Sequence, residues 1–136
     1  MSADAHFSSS YGEARSKFLP AATAAGLTVL LHAPPLAGME GETLAMDVAR
    51  LGSIDAAAVL VLSSACHGVE GYCGSGVQHA LLADPGFMAA ARASGVAMLW
   101  IHALNPHGFS WWRRTTHENV DLNRNFHPYD GRPRPV

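Results

Sequence analysis

No apolar stretch in this sequence approaches the roughly 18 residues that a membrane-spanning helix needs, so no membrane partner is expected. Its first residues, MSADAHFSSSYGEARSKF, lack the apolar core of a signal peptide, which makes the cytoplasm the expected location. There is no run of basic residues, and the net charge of −2 gives nothing that would attract nucleic acid or an anionic surface. Charged residues make up only 15% against 49% hydrophobic, which excludes a disordered chain. Cysteine is scarce too. The two present, Cys66 and Cys73, are read as reduced, packed thiols rather than a disulfide framework. A chain of 136 residues suits one domain, and it contains no internal repeat.

What remains is a succession of short apolar segments separated by Gly- and Pro-rich turns. Ser10 to Ala25 reads as an amphipathic helix that Pro20 interrupts. LTVLLHA (27–33) and TLAMDVARLG (43–52) read as two strands of a long hairpin, the second half-buried, with Leu44, Met46 and Val48 alternating with Ala45, Asp47 and Ala49. AAAVLVLSS (56–64) is continuous and uncharged, the pattern of a strand buried on both faces. Val77 to Ala83 and Phe87 to Ala93 read as helices, with Asp84 as the cap and Pro85 in the first turn of the second. VAMLWIHAL (96–104) is a further apolar strand. Strand, helix and strand in this order predict a parallel pair whose carboxyl ends share one edge. Open α/β sheets bind ligands at such an edge.

Two motif-rich loops fall there. The first, SSACHGVEGYCGSG, places His67 and Glu70 three residues apart among glycines that let the backbone bend tightly. Imidazole nitrogen and carboxylate oxygen are both zinc donors, so the pair reads as two metal ligands, although the spacing alone is a weak signal that a polar loop with an ordinary histidine also gives. The second, NPHGFSWWRRTTHENVDLNRNF, gathers Arg113, Arg114 and Arg124 with Asn105, Asn119, Asn123 and Asn125. Guanidinium forks and amides of this kind suit a substrate carboxylate or a developing oxyanion.

HGVE, then NP-GF, an arginine stretch and VDLNRNF, in that order, resemble the zinc carboxypeptidases, metallopeptidases of the carboxypeptidase A type. LVLSSACHGVEGYCGSGVQ is most similar to a poorly characterised branch of that superfamily, and the resemblance spans about Val59 to Phe126. It implies an α/β fold with a mixed, mostly parallel central sheet flanked by helices. It implies zinc as cofactor, with His67 and Glu70 as its first two ligands. Asn123 and Arg124 would grip the carboxylate of a peptide or acyl-amino acid substrate, and Arg114 or Arg113 would stabilise the oxyanion, with Arg114 favoured.

The family's third zinc ligand, a histidine, and its general-base glutamate lie well downstream of the Asn-Arg pair. No such segments follow here, and His117, His127 and Glu118 are the local substitutes to consider. Residues 1–136 are therefore expected to be the N-terminal part of one metallopeptidase-like catalytic domain, truncated and inactive alone, awaiting a C-terminal segment or a second chain. A deacylase resembling aspartoacylase or succinylglutamate desuccinylase, and a non-catalytic fragment, are the alternatives. His6, His32, His79 and His102 are read as surface or packing residues.

Overall fold

The structure is a computed structural model that describes residues 2–125. Helix α1 (Tyr11–Ala24) starts where the Ser10 side chain accepts the Glu13 N–H and the Glu13 carboxylate accepts the Ser9 N–H, a reciprocal cap. Contrary to expectation, α1 runs straight through Pro20. Pro20 and Ser16 both lie on the exposed side, so water can serve the Ser16 carbonyl that the missing N–H leaves free. Strands β1 (Thr28–His32) and β2 (Met46–Leu51) form the expected antiparallel hairpin, with Leu30 opposite Val48.

Strand β3 (Val59–Ser63) leads into α2 (Glu70–Ala83) and α3 (Pro85–Ala93), and the chain returns as β4 (Ala97–His102), parallel to β3. Asp84 caps α3 as expected, its carboxylate accepting the Gly86 and Phe87 N–H groups. A short helix, α4 (Pro106–Ser110), follows β4 and is not apparent from the sequence.

The sheet order is β1-β2-β4-β3. The fold is mixed α/β with helices flanking a four-stranded sheet, but the mostly parallel sheet expected from the resemblance is corrected. Both β1–β2 and β2–β4 are antiparallel, and only β3–β4 is parallel. The helices cover the face that carries Ala49, Met98 and Trp100, and Phe18, Ala22, Leu82, Met88 and Ala91 complete this core.

Three further readings change. In β2 the buried positions are Asp47 and Ala49, not Met46 and Val48, because Asp47 takes a two-pronged ion pair from Arg15 on α1. The β3 strand is an edge, with no described strand on its outer side, and it is not doubly covered: Val59 is 54% and Val61 52% exposed, since they point to the face opposite the helices. Helix α2 begins at Glu70, so Gly71, Gly74 and Gly76 lie inside a helix and not in a bend. They admit close neighbours: a Cβ on Gly71 would lie 2.6 Å from the Ala65 Cβ, and one on Gly74 2.9 Å from that of Ser64. No helix among the described residues is long and apolar enough to cross a membrane.

Candidate metal centre

Parallel pairing carries the chain past the ends of β3 and β4 and zips the two motif loops together. The Leu104 N–H donates to the Ser64 carbonyl and the Asn105 N–H to that of Ala65, both at 2.9 Å. The Gly68 N–H then donates to the Arg113 carbonyl at 3.0 Å. A Cβ at Gly68 would overlap the carbonyl oxygens of Gly108 and Arg113, so glycine is what lets the loops meet this closely. Asn105 shapes the second loop by accepting the Gly108 N–H at the start of α4.

His67 emerges from this junction, buried apart from one edge. Its Nε2 lies 2.9 Å from Asp121 Oδ1. The Arg114 Nε–H donates to the other Asp121 oxygen at 2.8 Å, and the Asn123 N–H donates to Asp121 Oδ1 at 2.9 Å. The hydrogen bond from Arg114, then that from His67, hold the Asp121 carboxyl down at about 2, and the same contact raises the Arg114 guanidinium. Asp121 is thus a carboxylate, which can only accept, so His67 Nε2 carries the hydrogen.

That leaves Nδ1 as the atom facing Glu70, whose Oε2 is 3.2 Å away. A lone pair and a carboxylate oxygen do not attract, so a proton or a metal cation belongs between them. Two zinc ligands with bonds of 2.0–2.1 Å at the tetrahedral angle stand about 3.3 Å apart. The spacing fits, and the Glu70 side chain, 72% exposed, leaves the position open to solvent. The Asp121–His67 contact has the form of the outer-shell carboxylate that orients a metal-bound imidazole.

The other candidates take different places. Arg114 is committed to Asp121, whereas the Arg113 side chain is exposed and its backbone holds the loop junction. Asn123 and Arg124 lie exposed on a 3-10 turn, Leu122–Arg124, that the Asp121 side chain caps. His117 packs edge-on against His107 and not beside His67, and Glu118 is exposed. Among the described residues no three His, Cys, Asp or Glu side chains gather around one point. His127 and Phe126 lie outside the described residues. Both cysteines are free; Cys66 is half-buried, its thiol pushed up by burial and by Asp121 and Glu70, whereas Cys73 is exposed rather than packed.

Sequence reasoning gave Asp121 no role. The signal was present: Asp121 is the one acid of VDLNRNF, two residues before Asn123.

No curated protein matches the chain. Among solved structures it is similar to the glutaminyl cyclase of Porphyromonas gingivalis, with 13% identity, a TM-score of 0.44 and coverage of 76% of this chain and 48% of that one. It is similar also to the glutaminyl cyclase of Tannerella forsythia, with 13% identity, a TM-score of 0.44 and coverage of 88% and 43% respectively. The chain spans less than half the length of either structure. Residues 7–135 match one family over nearly the whole sequence, and the chain belongs to that family, described as a protein of unknown function (DUF2817).

Proposed function

We propose that the chain carries the metal-binding half of a zinc-dependent amide hydrolase of the metallocarboxypeptidase type. His67 Nδ1 and the Glu70 carboxylate would be two of its ligands. The observation that carries this reading is the state of His67: its Nε2–H is fixed by Asp121, and its Nδ1 faces a carboxylate oxygen 3.2 Å away. When bound, zinc polarises a scissile carbonyl and lowers the pKa of its water towards about 7.

This chain's own residues do the rest. Asp121 and Arg114 hold the imidazole in its tautomer and orientation. Arg114, beside His67 through Asp121, or Arg113, exposed on the same loop, would meet an oxyanion. Asn123 and Arg124 offer amide and guanidinium groups to a substrate carboxylate. The third ligand and the general base come from outside the described residues.

Zinc binding to the full chain tests this. The wild type should bind one zinc, and His67→Ala and Glu70→Gln should each weaken it by more than the roughly 10- to 100-fold typical of losing an outer-shell partner. Unchanged affinity in both variants would sink the assignment. A panel of peptides and N-acyl amino acids, offered to a protein with the complete ligand set, separates peptidase from deacylase chemistry.

A further inference from the structure

The N-terminal segment packs against α2 beyond the first turn that carries Glu70. Phe7 lies over Gly76, where a Cβ would collide with its ring, and the Lys17 ammonium donates to the Phe7 carbonyl. This seats the 3-10 turn Ala3–His6 against α2 and brings His6 to His79, both half-buried. Their Nδ1 atoms are 3.0 Å apart, and the rings are tilted by 54° with centroids 5.0 Å apart.

Two imidazole nitrogens at this distance need one hydrogen or one cation between them. Two metal bonds of 2.0–2.1 Å at a right angle put nitrogens about 2.9 Å apart, against about 3.3 Å for a tetrahedral pair. We propose that His6 and His79 form a separate metal site, a cis bis-imidazole pair for a square-planar ion, Cu2+ foremost, that staples the N-terminal turn to α2.

Half-exposure lets the ion in and lets water fill the remaining positions. A cavity of about 380 Å³ adjoins His6 and is lined also by Asp84, the nearest acid on its wall. Lys17 on α1 is the opposing charge, and burial, then His6 and Lys17, keep His79 below the ordinary histidine range, in the neutral form that ligates. Copper(II) tops the affinity order for nitrogen donors among divalent first-row ions.

The test titrates Cu2+ into the full chain carrying His67→Ala and Glu70→Ala, which removes the first site. One ion per chain is expected, with coupling to two nitrogens in its electron paramagnetic resonance spectrum and a raised melting temperature. Adding His6→Ala or His79→Ala should remove the second nitrogen coupling and weaken binding at least about tenfold. Should His79→Ala fail to fold, His6→Ala, on a turn with no buried residues, still gives the answer. Binding that is unaffected by His6→Ala, or no stoichiometric binding at micromolar Cu2+, overturns the proposal and leaves a shared proton as the whole content of the pair.

Discussion

Two polar chains grow from the same strands and meet opposite fates. Beneath the helices, Arg15 pairs with Asp47, Ser75 Oγ lies 2.8 Å from His102 Nε2, and the Gln78 amide donates to the carbonyls of both Leu62 and Ile101. Phe18 stacks flat on His102 at 4.6 Å. Beyond the strand ends, Glu70, His67, Asp121 and Arg114 form a second chain of similar composition. Residue types do not separate the two; burial does. Asp47 and His102 are fully buried, so no substrate can reach the serine-histidine contact, and the network clamps α1 and α2 onto the sheet. In the outer chain every group but His67 reaches solvent, which is what binding requires.

The sharpest way to break this contrast is Arg15→Ala. It would leave the Asp47 carboxylate buried without a partner, a loss that typically costs about 3–5 kcal/mol. Urea unfolding should show a lower midpoint with an unchanged slope. A shift no larger than that of an ordinary surface substitution would mean that the inner chain does not hold the fold.

Acid probes the same chain next. Burial holds His102 at about 4, against 6.5 for an ordinary histidine. The unfolded chain therefore takes up the proton first. Stability is full above pH 6.5 and falls as the pH drops towards 4, by roughly 3 kcal/mol when complete. His102→Gln should flatten this part of the pH–stability curve relative to wild type. Identical curves for the two proteins would show that His102 is not the titrating group.

How far the sequence foretold this follows from what each signal measures. The hairpin, the α3 cap and the β3–β4 parallel pair were legible because Asp84-Pro85, the alternation and the aliphatic runs are local cues. Burial was not. AAAVLVLSS reads as a doubly covered strand because apolar character records what a strand tolerates, not what lies against it, and here β3 is an edge with Val59 and Val61 exposed. The buried parity of β2 was hidden because its inward residue is an aspartate, intelligible only through Arg15, which lies 32 positions earlier. Gly71, Gly74 and Gly76 looked like a bend because small residues mark close approach as well as flexibility. At the candidate centre the spacing His67–Glu70 and the Asn123-Arg124 pair were visible. The division between Arg114, which pairs with Asp121, and Arg113, which does not, was not, because it depends on which guanidinium reaches that carboxylate.

That division gives the smallest effect on folding and the best test of the outer chain. Asp121→Asn keeps the shape of the side chain and can still accept from the Asn123 N–H, but it removes the charge that pairs with Arg114 and fixes the hydrogen on His67 Nε2. An amide can present either an oxygen or an N–H to Nε2, so Nδ1 is no longer obliged to carry the lone pair. The variant should melt with wild type, since the cluster lies at the surface, while its zinc affinity falls roughly 10- to 100-fold, the usual cost of an outer-shell partner. Arg114→Ala should move affinity in the same direction by less, because it loosens Asp121 without changing the tautomer. If Asp121→Asn instead destabilised the fold and left zinc binding intact, the outer chain would be a second structural clamp, and the difference between the two networks would be one of position alone.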